Sequence, residues 1–272
     1  MTDRPGVAQL RCSEVLVATL AGSGVRHAVL SPGSRSTPLA LACLRHPSIE
    51  THITIDERSA AFLALGLARE SGVPALVIAT SGSAPGHWLP AVMEANHGAV
   101  PLLLLSADRP PELVGWGANQ TTDQQHLFGG QVRAFHTVNT ANDSEEGLRQ
   151  VAQLARRAFQ ESRWPLPGPV HLNLPFREPL LPEGWPPVVQ GEPLPPLPQP
   201  APPPPDPDQM ERLVSSLGSG PGVVVCGPGD RELPDPALLC RLAERLDAPM
   251  LVDPLSGLRF GSHDRSRLLV HY

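Results

Sequence analysis

The chain has 272 residues, with 27 acidic against 21 basic side chains and a formal net charge of −6. No basic stripe exists to neutralise phosphates, and no segment approaches ~20 uninterrupted apolar residues, so nucleic-acid binding and a helical membrane span are excluded. All 21 basic residues are arginine, which rules out lysine chemistry such as a Schiff base and leaves planar guanidinium forks as the side-chain cations for anions.

Taken in chain order, the first 175 residues alternate helical and strand patterns. A helix over about Val7 to Ala21, closed by Gly22, precedes the strand "HAVL" (27–30) and the turn "SPGSRS" (31–36). A second helix, Thr37 to Arg45, leads to the strand "THITI" (51–55), and a third, Glu57 to Glu70, is ended by Gly72. Strand "ALVIA" (75–79), loop "TSGSAPG" (80–86), a helix to about Asn96 and strand "PLLLLS" (101–106) follow, then a long polar loop. Strand "QVRAFHTV" (131–138), helix Ser144 to Glu161 and strand "PVHLNL" (169–174) complete the series. Continuous apolar strands between helices predict a parallel sheet covered on both faces, the doubly wound α/β pattern. Ligands gather at the carboxyl ends of such strands. The candidate loops are therefore "SPGSRS", Asp56-Glu57, "TSGS" and "SADRPPE".

Residues 190–208 carry ten prolines and predict a semi-rigid linker; a ligand for a proline-binding module is the alternative. We expect a first domain over 1–185, a proline-rich linker over 186–208 and the start of a second α/β domain over 209–272. In the latter, helix Asp208 to Leu217, strand "GVVVCG" (222–227), helix Pro236 to Leu246 and strand "PMLVD" (249–253) are legible. Two strands are too few for a covered sheet, so the expectation is a portion of a longer or split protein. Cys12, Cys43, Cys226 and Cys240 show neither a CxxC nor a metal spacing and read as reduced, buried thiols. The amino terminus lacks a signal-peptide core, and the expected location is cytoplasmic.

Several constellations could carry chemistry. Asp56 reads as a helix N-cap, and Glu57 either as an ordinary first-turn acid or as a functional carboxylate. Ala60, Ala61, Ala64, Gly66 and Ala68 predict a helix buried on several sides, at whose start an acid is partly desolvated and able to exchange a proton. In "VLSPGSRSTP" (29–38), Ser34, Arg35 and Ser36 form either an anion site at the next helix or a plain turn capped by Ser36. "IATSGSAPG" (78–86) lacks the spacing of a dinucleotide cradle. "SADRPPELVGWGANQTTDQ" (106–124), with Arg109 stiffened by two prolines, has the look of a structured functional loop. His171 reads as a satisfied core residue, with a ligand as the alternative, and "CGPGD" (226–230) as a structural turn.

These segments together resemble a known family. "SPGSRSTPL", "DERSAAFLALGLA", "TSGSA…PAVMEA", "LLLLSADRPPEL", "GANQTTDQ" and "GPVHLNLPFREPL" occur in the order and spacing of 2-succinyl-5-enolpyruvyl-6-hydroxy-3-cyclohexene-1-carboxylate (SEPHCHC) synthase. That family is thiamine-diphosphate-dependent and acts in menaquinone biosynthesis; the resemblance covers nearly all of residues 8–180. It implies that Glu57 is the catalytic glutamate that hydrogen-bonds the aminopyrimidine, and that Pro32, Thr80 and Gly82 line the pyrimidine pocket. It implies decarboxylation of 2-oxoglutarate and addition of the succinyl unit to isochorismate, with Ser34, Arg35, Arg109 and Gln120 holding substrate. It implies Mg²⁺ as well, but the family's GDG…N motif does not occur in this sequence, so no metal ligand is assigned here. A homo-oligomer or a complementing C-terminal chain is the expected partner. His87 stands where the family has Asn, and "GANQTT" replaces "GANQAI". A non-catalytic α/β binding or scaffold protein derived from this family is the alternative.

Overall fold

The computed structural model describes residues 4–184, 186–188, 204–217, 220–228 and 235–271. Most of the proline-rich stretch, and Gly229 and Asp230 of the "CGPGD" turn, lie outside them. The chain divides into two units, Met1–Pro198 and Gln199–Tyr272.

The first unit runs α1 (Arg4–Ser23), β1 (His27–Leu30), α2 (Thr37–Arg45), β2 (Glu50–Ile53), α3 (Glu57–Ser71), β3 (Ala75–Ala79), α4 (Leu89–His97), β4 (Leu102–Asp108), β5 (Ala134–Thr137), α5 (Glu145–Glu161) and β6 (Pro169–Pro175). All six strands are parallel, in the order β2-β1-β3-β4-β6-β5. Alternate residues of one apolar run serve opposite faces of the sheet. From β4, Leu103 and Leu105 join the core under α1, α2 and α5, while Leu102 and Leu104 join the core under α3 and α4. Each fully buried leucine contributes roughly 1.5–3 kcal/mol relative to exposure. The sheet is thus the doubly wound arrangement that the pattern predicts.

Helix ends follow local chemistry. Asp56 caps α3 by accepting from the backbone N–H of Arg58 (2.9 Å) and Ser59 (3.3 Å), and Gly72 ends it in a left-handed conformation. The Ser144 hydroxyl accepts from Gly147 N–H (3.1 Å) at the start of α5, whose Val151, Ala155, Ala158 and Phe159 form one buried stripe.

Four expectations need correction. The strand predicted at 51–55 lies at Glu50–Ile53, because its only neighbour, β1, ends opposite Ile53. The strand predicted at 131–138 shrinks to Ala134–Thr137 at the opposite edge, after a 3-10 turn at Gly129–Gln131. Helix α3 is not buried on several sides in this chain: Ala60, Ala61, Ala64 and Ala68 face the core, but Phe62, Leu63 and Gly66 are exposed. Only Cys12 and Cys43 are buried, their thiols pushed up to about 12 by burial, whereas Cys226 and Cys240 are half-buried.

The second unit holds α6 (Pro207–Ser216), β7 (Val224–Cys226), α7 (Pro236–Arg245), β8 (Met250–Val252) and β9 (Leu268–Leu269). Its parallel sheet has the order β7-β8-β9, over a core of Ala243, Met250, Val252 and Leu258. The two-residue β9 is too short to show a period in the sequence. Among the described residues no helix is long and apolar enough to cross a membrane.

Candidate functional site

Strand order decides which loops meet. Because β1 lies between β2 and β3, the chain leaves β1 toward one edge and returns to build the sheet toward the other. The carboxyl ends of β2, β1, β3, β4 and β6 therefore form one rim carrying Glu57, the 31–36 turn, the 80–86 loop, the 109–124 loop and Phe176–Glu178. A reversal of this kind is where open α/β sheets bind ligands.

Glycines set the close approaches along that rim. A Cβ on Gly33 would stand 2.4 Å from the Thr80 Cβ, so only glycine lets the turn after β1 lie against the end of β3. Gly82 has φ +87°, and a Cβ there would lie 2.7 Å from the Gln120 Cγ. The Gln120 side-chain amide donates to the Ser81 carbonyl (2.9 Å), and the Ser81 hydroxyl donates to the Gln120 carbonyl (3.1 Å). Thr80, Gly82 and Gln120 thus occupy one wall, although Gln120 itself is exposed. Pro32 and Ser34 are exposed on the neighbouring turn, and His87 is exposed in the 3-10 turn Pro85–Trp88.

Arg35 is the one buried cation of the set, 7% exposed. It donates from Nη1 to the Phe176 carbonyl (2.8 Å) and from Nη2 pairs with Glu178 (3.0 Å). Its Nε is buried without a partner. Burial, and then the nearby Arg109 charge, hold the Arg35 guanidinium below its usual range, while Glu178 and Asp108 oppose this. Two guanidiniums are thus placed near one another, an arrangement that an anion stabilises. Arg109 is half-buried, and its Nε donates to the Asn119 carbonyl (3.2 Å). The expected cap by Ser36 does not form: its hydroxyl donates to Gly33 O (3.0 Å) and leaves the first N–H groups of α2 without a side-chain cap.

Glu57 begins α3, half-buried, and its carboxylate makes no hydrogen bond or ion pair with another described residue. Asp56 takes the capping role, and its carboxylate also binds the Arg58 guanidinium (2.6 Å). The local polar demands of the helix start are therefore met without Glu57.

A buried network that the sequence did not reveal ties these loops together. The Gln124 amide oxygen accepts from Gly82 N–H (2.8 Å), and its nitrogen donates to Ala107 O (3.1 Å) and Asn173 Oδ1 (2.8 Å). Ser106 donates to Asn173 Oδ1 (2.8 Å), and Asn173 donates to Asp108 Oδ2 (2.7 Å). Since the single Ser106 hydrogen is committed, His171 Nε2 must donate its own to Ser106 Oγ (2.7 Å), which fixes the neutral tautomer. His171 packs edge-on to Phe128 with centroids 4.9 Å apart and is the satisfied core residue that the sequence suggests. Burial pushes His171 down to about 3 and raises the Asp108 carboxyl above its usual range. The available signal was the alternation His171/Asn173 and Ser106/Asp108 within otherwise apolar strands.

The parallel sheet, the glycine-shaped rim and a free acid at the start of α3 define the class of a cofactor-binding α/β domain. Residues 10–127 match the family described as thiamine pyrophosphate enzyme, N-terminal TPP binding domain. The chain is 47% identical to the SEPHCHC synthase of Dechloromonas aromatica over 276 residues, covering 100% of this chain and 50% of that protein. The enzyme of the same name from Geobacillus kaustophilus is 43% identical over 270 residues (94% of this chain, 45% of the relative), and that from Haloarcula marismortui 44% over 269 (92% and 45%). The chain belongs to the SEPHCHC synthase family of thiamine-diphosphate enzymes, and it spans about half the length of the curated relatives it matches.

Proposed function

We propose that this chain forms the pyrimidine-binding half of a transferase that decarboxylates 2-oxoglutarate and adds the succinyl unit to isochorismate in menaquinone biosynthesis. The carrying observation is the Glu57 carboxylate, left without a partner at a helix start already capped by Asp56. Exposed Ile53, Ile55, Phe62 and Leu63 flank it in sequence, so a covering surface would take it out of water. These residues fit an aminopyrimidine: an apolar ring wall beside an acid able to share a proton with a weak base. Glu57 would hold the pyrimidine, with Pro32, Thr80 and Gly82 along the wall. Thiamine diphosphate, when bound, supplies the carbanion-stabilising chemistry.

Glu57 would share one proton between a carboxylate oxygen and the pyrimidine ring nitrogen that it hydrogen-bonds. Arg35 offers its unpartnered buried Nε–H, and Arg109 a second guanidinium, to the carboxylates of 2-oxoglutarate and isochorismate. Ser34 and Gln120 add hydroxyl and amide contacts at the rim. Mg²⁺ is proposed as counter-ion of the diphosphate, with ligands from a GDG…N segment that these 272 residues do not contain. The exposed apolar residues Phe62 and Leu63 of α3 and Leu89 and Met93 of α4, on adjoining helices, support assembly into a homo-oligomer or with a complementing chain. Small charged substrates suit a cytoplasmic location.

The test is turnover of 2-oxoglutarate and isochorismate, with thiamine diphosphate and Mg²⁺, by this chain combined with a polypeptide carrying the GDG…N segment. The mixture should be active and the chain alone inactive. Glu57→Gln should lower turnover by about 10²-fold or more while leaving the melting temperature unchanged. Undiminished turnover in that variant would remove Glu57 from the mechanism.

A further inference from the structure

A second cluster lies at the other end of the sheet. His27 opens β1, and Glu50 and His52 occupy alternate positions of the edge strand β2. The register pairs His27 with Glu50 and Val29 with His52. Neighbouring pairs in a parallel ladder, and residues two apart on one strand, project to the same face, so the three side chains converge. His27 is four residues ahead of Ser31, about 13 Å along the strand from the rim described above. The cluster is therefore separate from that site.

Its geometry has the form of a ligand set. His27 Nδ1 and His52 Nε2 face each other at 3.2 Å. Glu50 Oε2 lies 3.6 Å from His27 Nδ1, and Oε1 lies 3.9 Å from His52 Nε2. Tetrahedral coordination with metal–ligand bonds of 2.0–2.1 Å needs ligand atoms roughly 3.3–3.4 Å apart. The two nitrogens already meet that spacing. One atom from each of the three residues lies within 4.8 Å of the others, and the Glu50 side chain, 68% exposed, is free to turn so that one carboxylate oxygen approaches both nitrogens. Both imidazoles are about one-quarter exposed, which leaves a path for an ion and a place for a water as fourth ligand. Among the described residues no other group of three such side chains converges in this way.

We infer that His27 Nδ1, His52 Nε2 and a Glu50 carboxylate oxygen hold a late first-row divalent ion such as Zn²⁺. Two imidazoles and one carboxylate are the donor set that suits such an ion. Without the ion, the two facing nitrogens can share only one hydrogen between them. The ion takes the place of that hydrogen, which moves to the far nitrogen of its own ring, and links the edge strand β2 to β1 through coordinate bonds. Because β2 is a four-residue edge strand paired, among the described residues, with β1 alone, this link stabilises an edge of the sheet.

The experiment titrates the chelator-treated 272-residue chain with Co²⁺ and then Zn²⁺, reading visible absorption and melting temperature. One equivalent of Co²⁺ should give tetrahedral-type bands that Zn²⁺ displaces. The melting temperature should rise by ~5 °C at a hundredfold excess of ion over its dissociation constant. His52→Gln and Glu50→Gln should each weaken binding at least tenfold, while His126→Gln, on a distant exposed loop, should not. Glu50→Gln alters an exposed carboxylate and decides the matter if His52→Gln folds poorly. Absence of binding, or binding that both variants leave unchanged, would overturn the assignment.

Discussion

The two units use the same strand–helix grammar and differ in how deeply they bury it. In the first, every residue of β3 and β4 is buried, and helices cover both faces of six strands. In the second, β7 is half-exposed, α6 buries no residue, and four fully buried side chains make up the core among the described residues. Parallel strands gain stability when both faces are covered, because their ladder supplies few short-range contacts and their side chains need apolar neighbours on each side. Alternation of elements thus sets the topology, while the number of layers that close over the sheet sets the stability.

That contrast can be broken by mutation. The largest effect should come from Leu104→Ala in the middle of β4, which should cost the first unit about 2–5 kcal/mol and lower its denaturant midpoint at unchanged slope. If the second unit's transition moved with it, the two would unfold as one block and the contrast would fail.

Acid should act next, and on the first unit alone. His171 is held down to about 3 when folded, against an ordinary value of 6.5. Between those limits the unfolded chain binds a proton that the folded chain refuses, so stability is lost as pH falls below 6.5. The slope should approach ~1.4 kcal/mol per pH unit, and His171→Gln should flatten it in urea titrations from pH 7 to 4.5. An unchanged slope in that variant would show that other groups set the acid limit.

Smaller effects belong to the second unit. Val252→Ala, fully buried in β8, should lower its midpoint by about 1–2 kcal/mol. Val225→Ala, on the exposed side of β7, should stay within about 0.5 kcal/mol. Hydrogen exchange should follow the same ranking, with amides of β3 and β4 slowest. Faster exchange in β4 than in β8 would reverse the comparison.

Much of the candidate site was legible in local pattern. The cap at Asp56, the spare acid beside it and the glycine turns after β1 and β3 all have sequence signatures, because each answers a demand made within a few residues. The Gln124–Asn173–Asp108 network left only polar residues alternating within apolar strands as a sign, and its pairing stayed hidden, since its members come from two strands and a loop up to 65 residues apart. The burial of Arg35 against Phe176 and Glu178, and the meeting of His27, Glu50 and His52, escaped for the same reason.

By itself the sequence determined most of the strands and helices, that the sheet is parallel, and that the chain resembles a thiamine-diphosphate family. Periodicity and motif spacing are properties of neighbours along the chain. Only the tertiary structure decided which loops share a rim, which arginine is buried, and that α3 keeps an apolar face in solvent. Those outcomes depend on strand order and on atoms brought within a few ångströms from distant positions, which no local pattern encodes.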